Sequence, residues 1–180
     1  MKEIEIIFFH GYGSSGETSE TGKMLVEHYG KENVHCLSYD YKNAEDAVDN
    51  LSAQIRKIVL NNPEILLVGI SLGGFWANYF SEKYGLQAVL INPALEPTET
   101  LKKYSESQAS TYKSFNTTLT QGIPKAIILG KQDDIVPYTS YLERLKNSYM
   151  VFIDDNMGHR VDNPKSMFRL IDYMNNTILT

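Results

Sequence analysis

Gly69-Ile70-Ser71-Leu72-Gly73 is the stretch that decides the fold of this chain. The apolar run Ile65–Val68 precedes it and the helix-like run Phe75–Phe80 follows it, so the order is strand, Gly-x-Ser-x-Gly, helix. A serine at such a turn takes up a crowded backbone conformation, and glycines two residues away on either side remove the side chains that would collide there. The turn exposes the hydroxyl group and directs the first helical N–H groups at the group it attacks. The pattern therefore predicts a nucleophile at Ser71.

Composition places the chain among soluble globular proteins. It has 180 residues, of which 42% are hydrophobic and 22% charged, so we expect a single domain with a sizeable core over residues 1–180. The net charge of −5 comes without a basic cluster, which argues against a nucleic-acid surface. Cys36 is the only cysteine; it excludes an internal disulfide and a cysteine pair for a metal, and it fits a reducing compartment.

No apolar run in the sequence approaches the ~20 residues that a membrane-spanning helix needs. The first nine residues combine a short apolar run with two glutamates, which is typical of a strand rather than of a signal peptide. We therefore expect a cytoplasmic protein with no membrane partner. The sequence does not indicate an oligomeric state.

Apolar runs alternate with helical patterns along most of the chain. This alternation predicts a single-domain α/β protein, with a mostly parallel twisted sheet and helices on both faces. The predicted strands are Ile4–Phe9, Val34–Tyr39, Ile65–Ile70, Ala88–Ile91, Ala126–Leu129 and Tyr149–Ile153. The predicted helices are Thr18–Tyr29, Ala44–Val59, Leu72–Tyr84, Thr139–Leu145 and Lys165–Asn175.

One segment, residues 93–122, breaks this alternation. It contains Pro93, Pro97, Tyr104, Tyr112 and many serines and threonines, and it lies between two predicted strands. A loop of this length in a compact domain is often functional. Because the segment leaves the carboxyl edge of the sheet, two interpretations stay open: a surface excursion, and a lid or cap that faces a substrate.

Histidine is the expected partner of a nucleophilic serine, because the hydroxyl group needs a base to take its proton. His28 and His35 lie within predicted elements and are expected to be structural, while His10 follows the first strand. His159 lies in the loop after the last strand, at the same sheet edge as Ser71. His159 is therefore the predicted general base; the alternative is a loop histidine that caps the last helix.

An acid that orients the histidine is expected in Gly130-Lys131-Gln132-Asp133-Asp134, directly after the fifth predicted strand. A carboxylate here would lie at the same edge, between the serine and histidine strands. Either Asp133 or Asp134 could serve; we favour Asp133, with Asp134 as a solvated neighbour or a charge at a helix N-terminus. Asp154 and Asp155 are too close to the histidine along the chain to be the obvious partner.

Backbone donors are expected to face the carbonyl oxygen under attack, because negative charge develops on it. One donor is the N–H group of Leu72, the residue after the serine. The other is expected from His10-Gly11-Tyr12-Gly13, after the first strand, through the N–H group of Tyr12. This glycine-rich loop could instead bind a phosphate, but it lacks the P-loop and dinucleotide-binding patterns.

The order Ser71, Asp133, His159 is that of the α/β-hydrolases. His10-Gly11 after the first strand and Ile91-Asn92-Pro93-Ala94 after the fourth add to the pattern. With these motifs the chain resembles the α/β-hydrolase superfamily and, more narrowly, the small YqiA-like esterases, over nearly its full length. The resemblance implies a minimal hydrolase fold without the early antiparallel strands, and its Gly-x-x-Asp spacing favours Asp133. The histidine loop departs from the expected Gly-Gly-x-His pattern, since it has only one glycine.

The resemblance also implies a function. It indicates a serine hydrolase that cleaves small carboxylic esters or thioesters through an acyl-serine, with no metal or cofactor. Ser71, Asp133 and His159 would form the triad, with Tyr12 and Leu72 as oxyanion donors. Three alternatives stay open: an acyltransferase with the same triad, a hydrolase of another bond such as a peptide or carbon–carbon bond, and a catalytically weak protein-binding module that keeps the fold. The candidates for substrate contact, which also suit the core, are His10, Gly11, Phe75, Trp76 and Leu95.

Overall fold

The computed structural model describes residues 5–60, 64–115, 122–146 and 149–178. Six strands form one sheet, and the helices lie between and after them. The strands are β1 (Glu5–Phe9), β2 (Val34–Leu37), β3 (Ile65–Ile70), β4 (Ala88–Ile91), β5 (Lys125–Gly130) and β6 (Met150–Asp154). The helices are α1 (Glu20–Tyr29), α2 (Ala44–Val59), α3 (Leu72–Tyr84), α4 (Pro97–Thr100), α5 (Glu106–Thr111), α6 (Thr139–Leu145) and α7 (Lys165–Ile178), with a 3₁₀ turn at Tyr112–Ser114.

The sheet has the strand order β2-β1-β3-β4-β5-β6, and every pairing is parallel. This confirms the predicted α/β class with a parallel sheet. The chain runs from β1 outward to β2 and then returns to β3 on the other side of β1, so the loops after β1 and β3 diverge at a topological switch point. Such crevices at the carboxyl ends of parallel strands are where ligands bind in open α/β sheets.

Helices cover both faces of the sheet, as predicted. Helices α2, α3 and α6 pack on one face, where Phe75, Trp76 and Phe80 fill the core without any exposure. Helices α1 and α7 pack on the other face, where Leu25 and Ile171 are fully buried. Within the part of the chain that the structure describes, no helix combines the length and the apolar character needed to cross a bilayer.

The segment at 93–122 is partly helical where it is described. It forms α4, α5 and the 3₁₀ turn, and residues 116–121 lie outside the described residues. Leu101 and Tyr112 are at most 2% exposed, and the hydroxyl group of Tyr112 donates a hydrogen bond to the carbonyl of Tyr41. The hydroxyl oxygen of Thr111 accepts a hydrogen bond from the N–H group of Ala44. The described part of this segment, residues 93–115, is therefore packed against the domain rather than extended from it.

Candidate active site

Ser71 lies at a sharp turn between β3 and α3. Its φ of 55° and ψ of −121° are strained for a residue with a side chain. A Cβ atom at Gly69 would overlap the carbonyl of Gly73, and one at Gly73 would overlap the carbonyl of Phe9. Both glycines of the Gly-x-Ser-x-Gly pattern are thus required by close backbone approach, and the turn between them presents the serine hydroxyl at the carboxyl edge of the sheet.

His159 lies between Ser71 and Asp133. Its Nε2 atom is 2.9 Å from Oγ of Ser71, and its Nδ1 atom is 2.8 Å from Oδ2 of Asp133. Because a carboxylate oxygen can only accept, Nδ1 carries a proton and Nε2 of the neutral ring is free to accept the serine proton. The three side chains that the sequence singled out are therefore within hydrogen-bonding distance, in the arrangement that activates a serine.

The two adjacent aspartates, Asp133 and Asp134, have different surroundings in the structure. Asp133 is 6% exposed, and its Oδ1 atom accepts hydrogen bonds of 2.8 Å from the N–H groups of Ile135 and Val136. These bonds hold the carboxylate so that Oδ2 faces His159. Asp134 is exposed and lines the mouth of the cavity beside the serine. Asp133 is the aspartate that contacts the histidine.

The loop after β1 approaches the serine closely. A Cβ atom at Gly11 would lie 3.3 Å from Cβ of Ser71. Tyr12 and Leu72 line the same cavity as Ser71. Leu72 is the first residue of α3, a position where the backbone N–H group has no partner within the helix and is available to a ligand. The structure thus places both residues that were predicted as oxyanion donors at the cavity beside Ser71.

His10 lies beneath this loop and is fully buried. Its ring stacks on Tyr39, with centroids 4.2 Å apart, and its Nδ1 atom donates a 2.8 Å hydrogen bond to the carbonyl of Gly11. The hydroxyl group of Tyr39 donates to the carbonyl of His10 at 2.6 Å. Burial lowers the pKa of His10, although the bond to Gly11 opposes this. The ring of His10 therefore binds the backbone of the loop at Gly11 from its buried side.

Two cavities meet at Ser71 and His159. The larger has a volume of about 580 Å³. One of its sides is bounded by apolar side chains of the 97–114 segment, which runs from the start of α4 to the end of the 3₁₀ turn. Its lining includes Leu72, Ala94, Leu101, Tyr104, Ile135 and Arg160. The smaller, of about 360 Å³, lies on the side of α1 and has more hydroxyl groups; it is lined by Gly11, Gly13, Ser14, Thr18, Thr21 and Arg160, among others. A substrate centred on the serine would have room on both sides.

The residues predicted to contact substrate are not all at these cavities. Gly11 lines the smaller one. His10, Phe75 and Trp76 are fully buried, Leu95 is 6% exposed, and none of these four lines either cavity. The aromatic side chains of α3 instead pack beneath the turn, because the helix buries that face against the sheet. Within the described ranges, no group of three or more His, Cys, Asp or Glu side chains is arranged to hold a metal ion.

Sequence reasoning missed several lining residues. Leu101 and Tyr104 belong to the irregular 93–122 segment, whose contacts no local pattern indicates. Arg160 directly follows the predicted base and lines both cavities, a position that its proximity to His159 in the sequence could have suggested.

Solved structures superpose on this chain over nearly its full length. Est1E from Butyrivibrio proteoclasticus superposes with a TM-score of 0.78 and 14% identity, over 100% of this chain and 90% of that one. An α/β-superfamily hydrolase from Xanthomonas campestris pv. campestris superposes with a TM-score of 0.70 and 16% identity, over 98% of this chain and 99% of that one. At these identities the likeness establishes the fold, which is that of the α/β-hydrolases.

Sequence comparison places the chain in a family of matching length. A UPF0227 protein of Shewanella sp. (strain MR-7) is 27% identical over 165 residues, and one of Vibrio campbellii is 23% identical over 164 residues. Each alignment covers 86% of this chain and 90% of the relative. The family model described as "Uncharacterised protein family (UPF0227)" matches residues 5–174. The chain belongs to the UPF0227 family, and its fold is that of the α/β-hydrolases.

Proposed function

We propose that this protein is a serine hydrolase that cleaves small carboxylic esters or thioesters through an acyl-serine intermediate. The observation that carries the proposal is the chain of two hydrogen bonds from Ser71 through His159 to Asp133, of 2.9 and 2.8 Å. A serine and a histidine without a catalytic role would not need to be hydrogen-bonded to each other at a strained turn. Strain at such a residue is retained where function needs it.

In the first half of the reaction, Oγ of Ser71 attacks the carbonyl carbon of the ester, and its proton passes to Nε2 of His159. The carbonyl oxygen becomes an oxyanion that the N–H groups of Tyr12 and Leu72 stabilise. Collapse of this intermediate breaks the bond to the leaving group. His159 returns the proton to the alcohol or thiol, and the acyl group stays on the serine.

In the second half, water takes the place of the alcohol. His159 accepts a proton from the water, the resulting hydroxide attacks the acyl carbon, and the proton returns to Ser71 as the acid leaves. Asp133 accepts hydrogen bonds from two backbone N–H groups and from the imidazole, which hold its carboxylate against the ring. Its part is to orient the ring and to stabilise the imidazolium.

The cavities support a small substrate. The larger one has about 580 Å³, within the range of small-molecule sites, and the apolar side chains of Leu101, Tyr104 and Ile135 suit an acyl chain. The smaller one, with Ser14 and Thr18 on its wall, would then receive the leaving group.

The test is hydrolysis of p-nitrophenyl esters of increasing acyl length by the wild type, Ser71→Ala and His159→Ala. Both variants should lose at least roughly 10³-fold in kcat/KM, since the base and the nucleophile act as a unit. His28→Ala, which alters a histidine stacked on Phe168 away from the site, is the matched control and should keep its activity.

Covalent labelling with a fluorophosphonate distinguishes the alternatives. Label on Ser71 of a wild type that hydrolyses no ester would indicate a live nucleophile with another acceptor, as in an acyltransferase. An unlabelled wild type with no turnover would contradict the proposal and favour the binding module.

A further inference from the structure

Asn92 lies at the end of β4 and is joined to the two loops that carry Asp133 and His159. Its side chain is buried, with 1% exposed. Its φ of 42° lies in the left-handed region, which asparagine tolerates better than most residues. Its backbone N–H group donates to the carbonyl of Ile128 at 2.9 Å, so the backbone of Asn92 is held by the sheet.

The side-chain amide of Asn92 makes three hydrogen bonds. Its Oδ1 atom accepts from the N–H group of Gly130 at 2.7 Å. Its Nδ2 atom donates to the carbonyl of Gly158 at 2.8 Å and to the carbonyl of His159 at 3.1 Å. Because an N–H group only donates and a carbonyl only accepts, these partners determine which end of the amide is oxygen. The amide thus uses both of its N–H groups and its oxygen on two loops.

The two loops meet where Asn92 binds them. A Cβ atom at Gly130 would overlap the carbonyl of Met157, so the histidine loop rests on this glycine. The N–H group of Asp133 donates to the carbonyl of Gly130 at 3.2 Å, which makes Gly130 the start of the turn that carries the acid. Asn92 therefore determines how far the backbone of His159 lies from the turn of Asp133.

Neighbours of Asn92 in the chain bind the backbone of Ser71. The N–H group of Ser71 donates to the carbonyl of Ile91 at 2.9 Å, and the N–H group of Ala94 donates to the carbonyl of Ser71 at 2.9 Å. The chain at 91–94 thus contacts the backbone of all three loops that carry the proposed triad.

We propose that Asn92 is a positioning residue, whose amide holds the backbone of Gly158 and His159 so that the imidazole stays between Asp133 and Ser71. This inference rests on the proposed function. Without the amide, the buried N–H group of Gly130 and the half-buried carbonyls of Gly158 and His159 lose a partner, and the histidine loop shifts to regain one. A displacement of about 1 Å at a reacting group can cost on the order of 100-fold in rate.

The first test compares Asn92→Gly with the wild type on p-nitrophenyl acetate. Glycine keeps the left-handed backbone without strain and removes only the side chain. We expect kcat to fall roughly 10- to 100-fold while KM stays nearly constant, because the substrate does not contact Asn92. Asn92→Asp has almost the same shape but cannot donate to the two carbonyls; it serves as the second variant if the glycine variant does not fold.

Ser81→Ala is the matched control for loss of stability. Ser81 is fully buried on α3, and its hydroxyl group donates to the carbonyl of Leu86 at 2.6 Å, away from the triad. This variant should lower Tm and keep wild-type kcat. A folded Asn92→Gly that lowers Tm in the same way but keeps wild-type kcat would overturn the proposal.

A double variant tests whether Asn92 acts through the histidine. In the His159→Ala background, Asn92→Gly should cause no further loss of the residual rate. A loss as large as in the wild-type background would mean that Asn92 acts independently of His159, and would overturn the proposal.

A readout without substrate separates this proposal from the proposed function. The Nδ1 proton of a histidine bonded to a carboxylate gives a strongly downfield proton resonance. The signal of His159, identified by its loss in His159→Ala, should be present in the wild type and Ser81→Ala but lost or broadened in Asn92→Gly. An unchanged signal in Asn92→Gly would overturn the role of Asn92, whatever the outcome of the ester assay.

Discussion

The hydroxyl group of Tyr12 donates a 2.8 Å hydrogen bond to Oε1 of Gln108, and this bond joins the loop after β1 to helix α5. The ring of Tyr12 also stacks on Tyr104, with centroids 5.2 Å apart. The residue that supplies the proposed oxyanion donor is therefore held by the 97–114 segment through both its ring and its hydroxyl group. We infer that this segment contributes to the site by holding the loop as well as by lining the cavity.

Loss of this contact should reduce the rate modestly. Tyr12→Phe and Gln108→Ala each remove one hydrogen bond, whose net worth of about 0.5–1.5 kcal/mol corresponds to roughly 2- to 10-fold in kcat if the bond holds the loop. The double variant should be no slower than either single variant, since both remove the same bond. Gln54→Ala is the control: Gln54 is half-buried on α2, donates to the carbonyl of Ser38 and lines neither cavity. Additive losses in the kinetics of the double variant would contradict the coupling.

The two adjacent aspartates should respond very differently to the same change. Asp133→Asn keeps the shape but loses the carboxylate that holds the Nδ1 proton of His159, and kcat should fall by about 10³- to 10⁴-fold. Asp134→Asn alters an exposed side chain and should change kcat by less than about threefold. Steady-state kinetics of both variants at one pH give the comparison. A loss in Asp133→Asn no larger than that in Asp134→Asn, and below about tenfold, would mean that the acid is not Asp133.

Backbone strain at Ser71 should appear as a difference in the free energy of unfolding between two variants of this residue. Glycine takes up a φ of 55° without the cost that a Cβ atom brings, whereas alanine keeps that cost. Ser71→Gly and Ser71→Ala both lack the hydroxyl group, so their difference isolates the backbone. In urea denaturation, we expect the free energy of unfolding of Ser71→Gly to be about 1 kcal/mol higher than that of Ser71→Ala. A less stable glycine variant would argue against strain at this turn.

Buried His10 should make stability depend on pH. Its pKa is lowered in the folded protein by burial, so below the ordinary value of about 6.5 the unfolded chain binds a proton that the folded chain does not. The contribution of His10 is complete above this pH and decreases as the pH falls, by up to about 1.4 kcal/mol per pH unit, until the folded form is also protonated. His10→Phe keeps an aromatic ring against Tyr39 and removes the titration.

Urea denaturation of the wild type and His10→Phe between about pH 7 and pH 5 checks this prediction. The other histidines contribute equally to both proteins, so the difference in slope belongs to His10. Identical slopes would contradict it.

Strong local patterns predicted the regular elements well. Helix α3 at Leu72–Tyr84 and strand β4 at Ala88–Ile91 have the predicted bounds, because their periodicity and the stop at Gly85 are local signals. Strand β2 ends at Leu37, two residues earlier than predicted, and α1 begins at Glu20 because Ser19 accepts the capping bond from Gly22. The short helices at Pro97–Thr100 and Glu106–Thr111 were not predicted, since helices of this length depend on tertiary contacts rather than on propensity.

By itself, the sequence determined the alternation of strands and helices and the backbone required around Ser71, because both follow from periodicity and from residues within a few positions of one another. It also placed the candidate base and acid at the same edge of the sheet, since parallel strands present their carboxyl ends together. Only the tertiary structure decided that Asp133 rather than Asp134 contacts His159, and that Asn92 binds both of their loops. These contacts join segments far apart in the chain, and their distances depend on how the strands pair and the loops pack.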